Sequence, residues 1–91
     1  MDLEWDEAKR QANIRKHHID FADVGEVFNG DIVIIEDDRF DYGERRFVVF
    51  GLFRGHIVAV VYTEHGNVMR IISARKATKN EERDYFDQIR Y

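Results

Sequence analysis

Three cationic side chains lie close together in the segment RIISARKATKNEERDYF, which covers residues 70–86. They are Arg70, Arg75 and Lys76, and they flank a pair of isoleucines of the kind found in β-strands. A guanidinium can bond two phosphate oxygens at once, so arginines at the end of a rigid strand indicate phosphate binding. The chain as a whole has a net charge of −4, so this concentration of positive charge is local.

Further residues suited to phosphate chemistry occur in two other segments, Lys16, His17 and His18 after the first predicted helix and Arg45 and Arg46 at the start of a predicted strand. Cleavage of RNA by its own 2′-hydroxyl requires a base for that hydroxyl, a proton for the leaving oxygen and stabilisation of the phosphate charge. Histidine and glutamate suit the proton transfers when their pKa values approach neutrality. The alternative is structural: an arginine within a strand can pair with an acid on a neighbouring strand, and KHH can simply end a helix.

Several other kinds of chemistry find no support in the sequence. It has no cysteine, and its four histidines do not show the spacing of a metal site. It contains neither a phosphate-binding glycine motif nor the glycines of a nucleophile elbow. No apolar run approaches the length of a membrane span. The sequence therefore predicts a soluble, cytoplasmic protein with a single domain over residues 1–91, no metal and no cofactor.

The N-terminal third of the chain predicts two helices. Asp6 is placed to cap a helix that runs to about His17, and Trp5 opens its narrow apolar stripe. Asp20 is placed to cap a second, short helix that ends near Phe28, before the turn signal NGD.

The rest of the chain predicts four strands and a final helix. Tight turns at 54–55 and 65–67 and a polar loop at 36–44 separate strand candidates at 31–36, 45–53, 56–64 and 68–74. Thr78 and Glu81 form a capping-box pattern that opens a helix to about Ile89. The predicted fold is α+β in the order α-α-β-β-β-β-α, with two N-terminal helices, a four-stranded antiparallel sheet and a C-terminal helix.

Three segments together resemble the BrnT family, the toxins of a type II toxin–antitoxin pair. They are EWDEAKRQANIRKHHIDFADVGEVF near the start, GERRFVVFG in the middle and RIISARKATKNEERDYF near the end. The shared motifs are WD-x-x-K-x-x-x-N-x-x-K-H, an ER pair before a strand, and RIISAR-x-A. The resemblance implies a RelE-like fold and a cofactor-free endoribonuclease that slows growth. It also implies a BrnA antitoxin, which silences the toxin and carries the DNA-binding region.

The resemblance also implies which residues form the site. By position, the polar motif residues are Lys9, Asn13, Lys16, His17, Glu44, Arg45, Arg70, Ser73 and Arg75. We predict that Arg70 and Arg75 hold the scissile phosphate and that His17 or Glu44 transfers the proton. We assign RNA binding to Lys9, Asn13, Lys16, Arg45 and Ser73.

Three points stay open at this stage. Arg70 and Arg75 point to opposite faces of an ideal strand, so holding one phosphate together requires a bulge or twist near Ser73, or an Arg75 beyond the strand. The family usually reads KHG after the first helix, whereas this chain has His18, which a left-handed backbone would strain. The alternative function is an inactive antitoxin-binding module or a transcriptional co-regulator of the same fold.

Overall fold

A computed structural model describes residues 2–38 and 43–90 of the chain. In chain order its elements are β1 (Asp2–Trp5), α1 (Glu7–His17), a 3₁₀ helix (Phe21–Asn29), β2 (Ile32–Asp37), β3 (Arg46–Phe53), β4 (His56–His65), β5 (Val68–Lys76) and α2 (Lys79–Ile89). The strands form one sheet in the order β1-β5-β4-β3-β2. Strands β2 to β5 make an antiparallel meander, and β1 lies parallel to β5.

The predicted fold class is wrong in its sheet and in its N-terminal helices. The sheet has five strands and is mixed, not four-stranded and antiparallel, and the second predicted helix is a 3₁₀ helix. Trp5, which the sequence assigns to the stripe of α1, instead ends β1 and pairs with Ile71. A four-residue strand is too short to show alternation, and its partner lies near the other end of the chain, so no local pattern predicts the pairing.

The helices begin where their capping residues predict. Asp6 and Asp20 each accept a hydrogen bond from a backbone N–H of the following turn, at 3.0 and 2.9 Å. Thr78 and Glu81 form a complete capping box at the start of α2. The four strands predicted from the sequence are also present, and the middle of the predicted polar loop, at 39–42, lies outside the described residues. No helix in the described part of the chain is long and apolar enough to cross a membrane.

Each face of the sheet carries its own apolar cluster. The 3₁₀ helix packs on one face, which we call the 3₁₀ face, and α2 packs on the other, which we call the α2 face. The buried core of the 3₁₀ face consists of Ile19, Phe21, Val24, Val27, Val49, Phe53, Val58, Val60, Tyr62, Met69, Ile71 and Ala74. The smaller core of the α2 face consists of Phe50, Ile57, Ala59 and Tyr85. Gly51 lets the 3₁₀ helix approach β3, because a Cβ there would lie 2.6 Å from the Val27 side chain.

A bulge interrupts β5 near its middle. The register between β4 and β5 shifts between Val61 and Tyr62, which leaves Ile72 as an extra residue without a partner in β4. Ile71 and Ala74 are both buried in the core of the 3₁₀ face although they are three residues apart. An unbroken strand would point these two side chains to opposite faces, so the bulge reverses the alternation of β5.

The bulge decides which polar side chains of β5 share a face. Arg70 pairs across the sheet with Thr63, and Arg75 pairs with Ala59, which belongs to the core of the α2 face. Directly paired residues point to the same face of a sheet. Arg70, Ser73 and Arg75 therefore all lie on the α2 face, which answers the geometric question that the sequence leaves open.

Asn13 joins α1 to the edge of β5. Its side-chain nitrogen donates to the carbonyl oxygens of Ile19 and Ala74, both at 2.9 Å. Its side-chain oxygen accepts a hydrogen bond from the Ala74 N–H at 3.1 Å. Because β1 pairs with β5 only as far as Ile71, Asn13 satisfies backbone groups of β5 beyond the end of β1. The last turn of α1 is thereby fixed beside the end of β5.

Candidate functional site

A shallow groove runs between α1 and the C-terminal half of β5. One part of it has a volume of about 300 Å³ and the other of about 410 Å³. The two parts share Lys16 and His17, and we call them together the α1–β5 groove. The polar residues that line it are Lys9, Asn13, Lys16, His17, His18, Ser73, Arg75, Lys76 and Thr78.

Positive charge dominates the α1–β5 groove. Three lysines, one arginine and two histidines line it, and no aspartate or glutamate is among the described lining residues. A polyanion is therefore attracted to this groove although the chain as a whole is acidic. Over residues 2–38 and 43–90, no three His, Asp or Glu side chains gather where they could hold a metal ion.

Arg75 is held in place by the start of α2. Its two terminal nitrogens donate to the two carboxylate oxygens of Glu81, at 2.7 and 3.0 Å. Glu81 also accepts a hydrogen bond from the Thr78 N–H at 2.9 Å, as part of the capping box. The hydrogen bonds from Arg75 lower the pKa of Glu81 to about 2, so this carboxylate stays ionised at neutral pH. The guanidinium is thus oriented by a group that belongs to the helix cap.

His17 is half-buried in the groove at the C-terminal end of α1. Partial burial lowers its pKa from 6.5, and the positive charges of Lys16, Arg75 and His18 act in the same direction. The imidazole is therefore mainly neutral at pH 7 and able to accept a proton. A proton acceptor beside an oriented guanidinium is the pair of groups that attack by a hydroxyl on a phosphate requires.

His18 ends α1 in the left-handed conformation, with φ 60° and ψ 29°. Its backbone N–H donates to the carbonyl oxygen of Ile14 at 2.9 Å, which closes the last turn of the helix. This is the position at which the KHG motif has glycine, the residue that adopts this conformation without steric cost. The strain expected of His18 from the sequence is therefore present in the backbone.

Arg70 lies outside the α1–β5 groove. It is on the same face of β5 as Arg75, but at about 3.3 Å per residue it is roughly 15 Å away along the strand. Its guanidinium lies 3.3 Å from a carboxylate oxygen of Glu4 on β1. The two arginines therefore share a face without meeting at one point.

Glu44 and Arg45 lie at the opposite end of the sheet from the groove. Arg45 donates two hydrogen bonds to Glu36, at 3.0 and 2.9 Å. Glu44 lies 3.7 Å from the imidazole of His65. Of the nine predicted site residues, the structure brings together Lys9, Asn13, Lys16, His17, Ser73 and Arg75, and it places Arg70, Glu44 and Arg45 elsewhere.

The nine predicted site residues do not include Lys76 or His18, although both lie in basic segments that the sequence singles out, and Thr78 and Glu81 are predicted only as a helix cap. A usable signal was present, because the capping box follows Arg75 within six residues. A helix that starts immediately after a strand brings its first-turn carboxylate back towards the end of that strand. Lys76 is the last residue of β5, so it lies at the strand end that lines the groove.

A family model matches residues 5–81, which is most of the chain and includes every residue that lines the groove. Its description is ribonuclease toxin, BrnT, of a type II toxin–antitoxin system. A search of curated proteins finds no match. The family match agrees with the resemblance inferred from the three sequence segments.

Proposed function

The chain belongs to the BrnT family of ribonuclease toxins of type II toxin–antitoxin systems, and from that premise we propose that it cleaves RNA in the α1–β5 groove without a metal ion or other cofactor. Family membership gives the class of reaction and an antitoxin as partner. The site and the chemical steps are our proposal, and they rest on the groove described above.

The reaction begins with His17. Its neutral imidazole accepts the proton of a 2′-hydroxyl, and the resulting oxygen attacks the adjacent phosphorus. The bond from phosphorus to O2′ forms while the bond to O5′ breaks, and the proton held by His17 passes to the leaving O5′. The products are a 2′,3′-cyclic phosphate and a 5′-hydroxyl, so that no water or cofactor is consumed in this step.

Arg75 stabilises the charge that accumulates on the phosphate oxygens. Its position is fixed by Glu81, so little reorganisation is needed when the charge develops. Lys16 and Lys76 line the same part of the groove and add positive charge beside the reacting phosphate. We assign Lys9 and Ser73 to the RNA strand where the groove continues along α1.

We assign the predicted site residues outside the groove mainly to contacts with RNA away from the reacting phosphate. Arg70 lies roughly 15 Å from Arg75 along β5, so we propose that the two arginines bind different phosphates of one RNA strand. Arg45 binds RNA farther along the surface, and Glu44 remains the alternative proton-transfer group to His17. Asn13 acts through its hydrogen bonds to β5, because all of its amide hydrogens are donated to backbone carbonyl groups.

One observation carries the proposal: His17, with a lowered pKa, and Arg75, oriented by Glu81 of a helix cap, line the same groove, and the described residues that line it include no acid. A titratable side chain whose pKa is shifted by burial and by neighbouring charges in a cleft is a candidate for a functional site.

The decisive measurement of the proposed mechanism is to identify the chemical groups at the ends of the RNA fragments. Antitoxin-free protein is incubated with end-labelled RNA in excess EDTA, alone and with added ribosomes. We expect fragments with 2′,3′-cyclic phosphate and 5′-hydroxyl ends, and no cleavage where the scissile nucleotide carries 2′-deoxyribose. Cleavage that EDTA abolishes, or that tolerates the 2′-deoxy substitution, would contradict the mechanism. A folded protein that binds RNA without cleaving it would indicate the binding-only alternative.

We also propose that a BrnA-type antitoxin neutralises this activity and supplies DNA binding to the complex. Because the described residues that line the groove include no acid, an acidic segment of the antitoxin that entered it would compete with RNA. Adding the purified antitoxin to the cleavage assay tests this. Undiminished cleavage at a saturating antitoxin concentration would contradict it.

A further inference from the structure

A second pocket adjoins the α1–β5 groove. It has a volume of about 240 Å³ and is open to solvent at the end of the sheet where β3 turns into β4. It shares His17, His18 and Lys76 with the groove, and His56 at the start of β4 completes its rim. We call it the histidine pocket.

The floor of the histidine pocket is apolar. It is formed by Ile19, Phe53 and Val58, which are 5%, 8% and 1% exposed and belong to the core of the 3₁₀ face. This floor is fixed by the packing of the domain, so the pocket does not need to be formed by its ligand. A flat apolar ligand of small size is complementary to it.

Arg54 closes one side of the pocket. Its guanidinium lies 4.9 Å from the centroid of the Phe53 ring and donates hydrogen bonds to Glu26 at 3.2 and 2.7 Å. A guanidinium plane held in this way is a surface on which a nucleobase can stack. The described lining residues include no aspartate or glutamate, so the rim side chains are donors and imidazoles.

We propose that the histidine pocket binds the base of a nucleotide next to the scissile phosphate, and that it prefers guanine, followed by uracil. This inference rests on the proposed function, because the pocket meets the groove at His17, His18 and Lys76, beside the phosphate that we propose to react. Guanine presents the adjacent acceptors O6 and N7, and uracil presents a carbonyl oxygen at O4. These match the donors of Lys76 and the imidazoles of His18 and His56.

Adenine and cytosine fit the histidine pocket less well than guanine and uracil. Adenine and cytosine present an exocyclic amino group where guanine and uracil present a carbonyl oxygen. Lys76 only donates hydrogen bonds, so an amino group that faces Lys76 meets a donor, and the described lining residues include no carboxylate to accept from it. A carbonyl oxygen at this position gains a hydrogen bond from Lys76 that an amino group cannot make, so the keto bases are favoured.

The test uses ligands that cannot be cleaved, because a 2′-O-methyl group blocks the attacking oxygen. Four 2′-O-methyl-RNA trinucleotides with abasic flanks carry G, U, A or C in the middle position, and a fifth is abasic throughout. We expect guanine to bind about tenfold more tightly than adenine, the size of a good base contact. The imidazole NMR signals of His56 are expected to shift with G and U.

The other end of β4 supplies a matched control. His65 is the last residue of the strand that His56 begins, and it is absent from the lining of the pocket. His56→Ala is expected to weaken the preference for guanine over adenine without changing the affinity of the abasic trinucleotide. His65→Ala is expected to leave the preference intact. The NMR spectrum of each variant checks that the fold is retained.

Three results would overturn the proposal. They are equal affinities for the four bases, unchanged His56 signals, and an abasic trinucleotide that shifts His56 as strongly as the others, which would indicate a phosphate site. None of them depends on cleavage. A protein that cleaves RNA but shows equal affinities retains the proposed function and loses the base pocket. An inactive protein that shows the guanine preference retains the pocket and loses the mechanism.

Discussion

The two ends of the sheet carry similar side chains in different settings. At the groove end, Arg75 pairs with Glu81, and at the other end Arg45 pairs with Glu36, each through two nitrogens at 2.7–3.0 Å. The Arg45 side chain is 73% exposed, whereas that of Arg75 is 36% exposed. Each end also has a histidine, His17 in the groove and His65 at the opposite end of β4.

The difference between the ends lies in what holds the glutamate. Glu81 is a capping residue of α2, so its position is fixed by the helix start and by the Thr78 N–H. Glu36 lies near the end of an edge strand, and its side chain is 43% exposed. Exposed ion pairs contribute little and exchange readily with water, whereas a pair tied to a helix cap keeps one geometry. We infer that the supporting element, not the residue type, distinguishes the site.

The largest expected effect comes from the two histidines. His17→Gln is expected to lower the rate of RNA cleavage by about 10²–10⁴-fold, the usual contribution of a general base, and His65→Gln to leave the rate unchanged. Because the proposed mechanism uses the neutral form of His17, and its pKa is lowered from 6.5, the cleavage rate should fall on acidification with a midpoint below pH 6.5. Cleavage rates measured from pH 5 to 8 check both statements. Equal losses in the two variants would remove the distinction between the ends.

The two arginines should differ by nearly as much. Arg75→Ala is expected to lower kcat by about 10²–10³-fold, because it removes an oriented donor to the charge that develops on the phosphate. Arg45→Ala is expected to raise KM and leave kcat unchanged, as expected for a contact made equally in the ground state and the transition state. Steady-state kinetics on one RNA separates the two. A loss of kcat in Arg45→Ala would place the reacting phosphate at the other end of the sheet.

Substitution of Asn13 tests whether the stability of the groove end depends on the hydrogen bonds between α1 and β5. Asn13→Ala leaves the buried N–H and C=O of Ala74 without their partner, so we expect a loss of about 2–3 kcal/mol in the free energy of unfolding. Gln11→Ala, on the same helix, removes one exposed hydrogen bond to Glu7 and should cost at most about 0.5 kcal/mol. Urea unfolding measures both. An Asn13→Ala variant as stable as the parent but inactive would instead support a direct contact with RNA.

Glu81 and Glu36 should differ in their effect on acid stability. The folded pKa of Glu81 is about 2, below its ordinary 4.5, so its stabilisation is complete above pH 4.5 and is lost as the pH falls towards 2. Glu81→Gln should therefore cost about 1–2 kcal/mol at pH 7, a value that allows for partial exposure, and almost nothing near pH 2. Glu36→Gln should cost much less at pH 7, because the Glu36 side chain is exposed and its ion pair is screened by water.

The variant must be compared with the parent because Glu81 is not the only carboxylate whose stabilising interactions are lost between pH 4.5 and 2. The hydrogen bonds from Arg10 lower the pKa of Asp20 to about 2 as well, so the parent loses both contributions on acidification. The difference in unfolding free energy between the parent and Glu81→Gln, followed from pH 7 to 2.5, isolates Glu81. A difference that does not shrink with falling pH would show that Glu81 stabilises the fold by another route.

Local signals explain the parts of the fold that the sequence predicts well. Asp6, Asp20 and the pair Thr78 and Glu81 act on N–H groups a few residues away, so their sequence spacing is sufficient to locate three helix starts. Short turns join β3 to β4 and β4 to β5, and these turns are local as well. The pairing of β1 with β5 joins the two ends of the chain, and nothing within four residues could predict it.

The same distinction applies to the site. Lys9, Asn13, Lys16 and His17 recur at helical spacing, so the sequence predicts that they lie together, and they do. Whether Arg70 and Arg75 share a face depends on the bulge at Ile72, which is set by pairing with β4 and not by the local sequence. The distance of Glu44 and Arg45 from the groove depends on the strand order, which no single segment contains.

The smallest expected effect concerns His18, where this chain departs from the KHG motif. His18 and Arg54 are the two residues other than glycine with positive φ in the described part of the chain, at 60° and 48°. His18→Gly relieves a left-handed conformation and should raise the free energy of unfolding by about 0.5–1 kcal/mol. Arg54→Gly should give no such gain, because it also removes the hydrogen bonds to Glu26. Urea unfolding of both variants tests this. If His18→Gly is no more stable than the parent, then contacts of the His18 side chain offset the strain in its backbone. The groove end would then be stabilised by His18 as well as by the Glu81 cap of α2.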